Sequence, residues 1–149
     1  MPVHRCRIPQ AEAVSIVDAL VDALDVGSAP GTLILYTGDM PATCDDVAAT
    51  EVATLTLNDE AYQDATFDGT IAYAELTQTP IAGAHCDTAT GNANPVTHFR
   101  LCDSTGQAHL QGTCSGDEGD DLQLTTYVIQ TGAEIEVQSL VVSLPRNAA

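Results

Sequence analysis

The 149-residue chain contains no lysine, no tryptophan and no apolar run long enough to span a bilayer. The missing lysine has the widest consequence, because Arg5, Arg7, Arg100 and Arg146 alone stand against 21 Asp and Glu, for a formal net charge of −17. Proteins that hold DNA or RNA neutralise phosphates with Lys and Arg, so no nucleic acid partner is expected. An anionic membrane surface repels such a chain for the same reason, and a spanning helix would need roughly 18 or more apolar residues. With only 4 Tyr and 2 Phe beside the missing tryptophan, a sugar-stacking cleft is poorly supplied. The five cysteines (Cys6, Cys44, Cys86, Cys102, Cys114) are odd in number and irregularly spaced, which argues against a secreted disulfide framework and for free thiols made in a reducing cytoplasm. Residues 1–9 lack the apolar segment of a signal peptide.

What is present points to one folded domain over residues 1–149, a length at which about 70% of the unfolded chain's surface becomes buried. The apolar residues, 44% of the total, fall in strand-like groups with acids mostly between them, unlike a disordered chain. Residues 1–10 read as an N-terminal arm carrying Arg5 and Arg7. An amphipathic helix over 11–25 follows, with Ala13, Ile16, Val17, Leu20, Val21 and Leu24 on one stripe and Glu12, Ser15, Asp18, Asp22 and Asp25 on the other face. Aspartates near its C-terminal end oppose the helix dipole, so packing must hold it.

The rest reads as strands at 32–37, 52–57 and 71–76, a pinned loop over 58–69, and a long connection over 77–95 with no regular element. A hairpin spans Val96 to Gly112. With Ser104 and Thr105 as its turn centre, Leu101 faces Ala108 and Phe99 faces Leu110, while His98, Arg100, His109 and Gln111 share the solvent side, His109 opposite Arg100. An acidic loop at 116–121 precedes strands at 122–129 and 134–144, joined by a turn at Thr131–Ala133. About seven or eight short strands behind one helix predict an all-β antiparallel sandwich, jelly-roll-like, over residues 31–145.

Chemistry is thinly signalled. His85, Cys86, His98, Cys102, His109 and Cys114 are zinc-ligand types, but two strand residues four apart, such as His98 and Cys102, lie about 13 Å from one another, against metal bonds of about 2.0–2.3 Å. Asp117, Glu118, Asp120 and Asp121 form a weak candidate calcium loop without the EF-hand pattern. Ser104, Ser115 and Ser139 lack a G-x-S-x-G surround, and no catalytic residue or cofactor is expected. Candidate contact residues are Arg5 and Arg7 of the arm, Ile16, Leu20 and Leu24 of the helix, and Arg100 and His109 of the hairpin.

The order of these pieces resembles a family of small virion proteins of tailed bacteriophages. It runs through the N-terminal helix, Gly31-Thr-Leu-Ile-Leu-Tyr-Thr-Gly-Asp-Met-Pro-Ala42, Ala53-Thr-Leu-Thr-Leu57, Phe99-Arg-Leu-Cys-Asp-Ser-Thr-Gly106, Asp121-Leu-Gln-Leu-Thr-Thr126 and Ser139-Leu-Val-Val-Ser-Leu-Pro145. The five cysteines, the missing lysine and the Gly116–Asp121 loop depart from that pattern. The resemblance implies a jelly-roll-like capsid decoration (cement) protein without catalytic residues. It would be made in the host cytoplasm and placed on the capsid exterior, as a homo-oligomer contacting the major capsid protein. A tail, adaptor or fibre-associated virion component, or a calcium-dependent glycan-binding module, are the alternatives.

Overall fold

The computed structural model describes residues 8–48, 50–77, 81–85, 92–124 and 126–145. In chain order these form helix α1 (Gln10–Asp22), which tightens into a 3-10 turn at Ala23–Asp25, and strands β1 (Thr32–Thr37), β2 (Thr50–Thr56), β3 (Thr66–Phe67), β4 (Ile71–Ala74), β5 (Ile81–His85), β6 (Asn92–Pro95), β7 (His98–Cys102), β8 (Ala108–Ser115), β9 (Leu122–Gln123), β10 (Val128–Gln130), β11 (Glu134–Val137) and β12 (Val142–Pro145). The protein is mostly β with one N-terminal helix. Its largest sheet has the order β2-β1-β7-β8-β9, antiparallel except for the short β8–β9 pair, and a second sheet has the order β12-β4-β3. Two further ribbons pair β10 with β6 and β11 with β5.

The helix forms where the apolar spacing predicts it. Ala13, Val17, Val21 and Leu24 are buried, and α1 lies across β4, β12 and β3. The acids on its other side have a use that helix propensity hides. The Asp18 carboxylate accepts the Ala65 N–H at 2.6 Å, and that of Asp25 accepts the Ala61 N–H at 3.0 Å. Two part-buried donors are thereby satisfied, and the loop over 58–69 is pinned as expected, with Ala61 and Tyr62 in the core. Gly27 ends this segment at φ +119°, where an added Cβ would stand 1.8 Å from Ser104 Oγ. Only glycine fits both demands.

The hairpin register needs correction. Cys102 pairs with Ala108, Leu101 with Leu110, Arg100 with Gln111, Phe99 with Gly112 and His98 with Thr113, with an irregularity between Leu101 and Cys102. The cause lies in the turn. The Asp103 carboxylate accepts the Thr105 and Gln107 N–H groups, Gly106 sits at φ +88°, and Asp103 N–H reaches Gln107 O. This longer turn leaves His109 as the extra residue of a bulge. Phe99 consequently covers Gly112, where a Cβ would come within 2.7 Å of its ring.

The face assigned to solvent is also covered. Every residue of β7 is buried, with β1 and β8 as its in-plane neighbours. The Gly38–Ala48 loop lies over the side that carries Arg100.

The connection over 77–95 is not irregular throughout, because β5 and β6 lie within it. Sequences such as Asn92-Ala-Asn-Pro95 have little strand propensity of their own, and antiparallel partners far along the chain, β11 and β10, draw them into ladders. The segments expected as single strands at 122–129 and 134–144 are each divided between two sheets. Leu122, Leu124, Ile129, Ile135, Val137, Leu140 and Val142 are all buried, so the hydrophobic pattern runs on through the points where the chain changes sheet.

Candidate functional site

Arg100 is the centre of the most ordered polar arrangement. It is 5% exposed, and its guanidinium donates to Asp46 O at 2.9 Å, Thr43 O at 3.2 Å and Gln111 Oε1 at 3.1 and 3.3 Å. Gln111 in turn donates to Pro41 O at 2.8 Å. The loop offers those carbonyls because Asp46 closes it locally, its carboxylate accepting both the N–H and the hydroxyl of Thr43 at 3.1 Å. Arg100 is therefore a clamp that fastens the 38–48 loop to the sheet, and its fork of donors suits several acceptors at once. It does not present a free charge to a partner.

Beside it, His98 is fully buried and stacks on Tyr36 across the β1–β7 ladder, ring centroids 5.2 Å apart. Its Nδ1 lies 2.9 Å from Thr97 Oγ1, and its Nε2 has no partner among the described residues. Burial, and then the nearby Arg100 charge, push its pKa below the ordinary imidazole value. Burial raises the Tyr36 phenol as well.

His109 sits apart from Arg100. Its Nε2 lies 2.9 Å from Asp103 Oδ2, and Asp103 is itself 5% exposed. Hydrogen bonds from the Thr105 hydroxyl and from His109, with the two backbone N–H groups, hold the Asp103 carboxyl well below the usual carboxylate range. The pair stabilises the turn. Ser104, the neighbouring hydroxyl, points away from it and donates to Val26 O.

The acidic loop is divided in the same manner. Asp120 bonds to the Ser115 hydroxyl, while Asp121 accepts the N–H and hydroxyl of Thr113 at 2.9 and 3.1 Å. Asp117 and Glu118 are exposed. Among the described residues no three carboxylate, His or Cys side chains are gathered where they could hold a metal ion. Cys86 lies outside the described residues. Burial raises the Cys102 thiol to about 11 and the Cys114 thiol to about 12, so neither carries thiolate character at neutral pH.

The helix residues separate by depth. Leu24 belongs to the core, Leu20 packs partly against it, and Ile16 is 48% exposed. Ile16, Leu20 and Leu24 do not share one depth, because the buried meridian runs through Ala13, Val17, Val21 and Leu24. Arg5 and Arg7 lie outside the described residues.

The feature that the sequence did not announce is a cleft of about 600 Å³ between β10 and β11, lined by Leu124, Val128, Ile129, Ile135 and Glu136 among others. Tyr127 and Val128 are among the exposed large apolar residues. The Thr131–Ala133 turn was legible, but nothing local reveals that the strands it joins do not pair. Among the described residues no helix is long and apolar enough to cross a membrane. Comparison with protein-family models, curated proteins and solved structures finds no match.

Proposed function

We propose that the chain is a non-enzymatic virion structural protein, a capsid decoration (cement) protein that binds the outer surface of the head beside the major capsid protein and further copies of itself. The observation that carries this reading is the distribution of charge. Arg100 is the one Lys or Arg among the described residues and it is buried, whereas 20 of the 21 Asp and Glu, all but Asp87, lie among those residues. A protein repeated over a shell with such a surface is repelled by packaged DNA and favours the exterior. The side chains of chemical interest support a structural role in the same sense. Arg100, Asp103 and His109 fasten loops, and Cys102 and Cys114 are protonated core residues. In this reading the helix and the β-layers make up a jelly-roll-like unit whose work is burial of surface across capsomer joints.

Quantitative mass spectrometry of purified particles tests the reading. Copies in proportion to the major capsid protein support it. A few copies per particle assign the chain to a tail or vertex instead, and absence from particles removes it from the virion.

A further inference from the structure

Side chains of the largest sheet alternate between two faces. Leu33, Leu35, Leu55, Phe99 and Leu101 belong to the core, while His98, Arg100 and Cys102 share the other face of β7, over which the 38–48 loop lies at Arg100. Polar bonds hold that loop. Arg100 and Gln111 grip the Thr43, Asp46 and Pro41 carbonyls, and the Thr97 hydroxyl donates to Gly38 O. Its two large apolar side chains, Met40 and Val47, are 42% and 94% exposed, and a cavity of about 240 Å³ lies among Cys44, Asp46, Arg100 and Ala108. A cover that buries so little apolar surface opens before the sheet does.

His98 is wired to this loop. The Thr97 hydroxyl has one hydrogen, which goes to Gly38 O, so its oxygen accepts the proton of His98 Nδ1, 2.9 Å away. The neutral ring is thereby fixed with a bare Nε2, fully buried and without a partner among the described residues. A bare ring nitrogen is tolerated there, but a protonated one is an unpaired buried cation. The groups on the surrounding elements do not relieve it. From β1 comes the Tyr36 phenol stacked on the ring, and one strand further out Glu51 of β2 is bonded to the Thr54 hydroxyl. Opposite, on β8, Thr113 is engaged with Asp121, and β7 itself adds the positive Arg100. In the loop, Asp46 is bonded to Thr43, and Asp39 and Asp45 are exposed. Burial, and then the Arg100 charge, accordingly hold the imidazole below its ordinary proton affinity.

We propose that the 38–48 loop is an acid-released cover: uptake of a proton at His98 Nε2 lifts it from β7 and bares the guanidinium of Arg100 beside the imidazolium. Between residues 8 and 145 there is no other Lys or Arg, so an anionic protein acquires a cationic patch in acid with its sheet intact. This inference does not rest on the capsid reading, and either can fail alone.

Two buried thiols read the two faces separately. Cys102 lies on the loop side at 3% exposure, and Cys114 in the core cluster at 0%. The full chain is labelled with a pyridyl disulfide, which reacts in acid as well as at neutral pH, and each rate is divided by that of the urea-unfolded chain at the same pH. With the open form binding its proton near the ordinary value of 6.5, the Cys102 ratio is expected to rise about fivefold to tenfold between about pH 7.5 and about pH 5.5. At the lower pH it is expected to exceed the Cys114 ratio at least about tenfold, because loop opening leaves the core closed. His98→Gln should abolish the rise, and His109→Gln, in the neighbouring turn, should retain it. A Cys102 ratio that is flat with pH in the unmodified protein overturns the proposal, and so do equal ratios for the two thiols, which mark one general unfolding. A rise that survives His98→Gln, or one that disappears in His109→Gln, overturns it as well, and the second variant decides the assignment if the first does not fold.

Discussion

Replacing Arg100 with methionine keeps much of the side-chain volume but removes every donor that holds the 38–48 loop. The Thr43 and Asp46 carbonyls and the Gln111 side chain then lose the guanidinium that ties the loop to β7. The expected cost is about 2–4 kcal/mol by chemical denaturation, with the loop becoming sensitive to proteases before the sheet does. A fall of less than about 0.5 kcal/mol, within the range of ordinary surface changes, would show that the clamp carries no weight. His98 supplies a second residue-scale expectation. Because burial depresses its pKa, the unfolded chain takes up a proton near the ordinary value of 6.5 while the folded chain resists. Stability is therefore full above that pH and falls as the solution is acidified below it. Asp103, depressed in the folded state by its hydrogen bonds, adds a second loss as pH drops below the ordinary carboxylate value of 3.8. Melting temperatures measured between neutral pH and about pH 5.5 should decline less steeply in His98→Gln than in the parent, and equal slopes would discard the assignment.

At the scale of elements, α1 survives through what it touches. It lacks a side-chain N-cap, has no basic residue in its last turn, and carries Asp18 and Asp22 toward its C-terminal end. Truncating Val17, 2% exposed at the middle of its buried meridian, should cost roughly 1–3 kcal/mol, whereas Ile16→Ala one position away should be close to neutral. Urea denaturation of the two variants separates these outcomes, and equal losses would contradict the packing described. Much of this element was legible, since a helical stripe reports its own geometry. Strand β1 and the existence of a hairpin were legible for the same reason. The register of that hairpin was not, because Asp103 enlarges the turn through side-chain bonds that no alternation encodes. Nor could β5 and β6 be read from Thr-, Ala- and Asn-rich sequence whose strand character comes from β11 and β10. Of the candidate contacts, Ile16 is exposed, Leu24 lies in the core, and Arg100, expected on a solvent-facing side, is covered by the Gly38–Ala48 loop.

For the whole molecule, charge is the governing quantity. With 21 Asp and Glu against four Arg and no Lys, most carboxylates have no cation to pair with, so added salt has a large repulsion to screen. Raising NaCl from about 0.02 M to about 0.5 M shortens the screening length from roughly 20 Å to roughly 4 Å, and the melting temperature should rise by several degrees. A flat or falling melting temperature by calorimetry would show that self-repulsion is not a significant burden.

The position of Arg100 has one more consequence. Trypsin cleaves after Lys or Arg, and in the body of this lysine-free protein the Arg100–Leu101 peptide is the sole susceptible bond, set in β7 at the middle of the widest sheet. Digestion within residues 8–145 should therefore stall. The later appearance of two fragments, parted after residue 100 and weighed by mass spectrometry, would act as a clock for the opening of the interior.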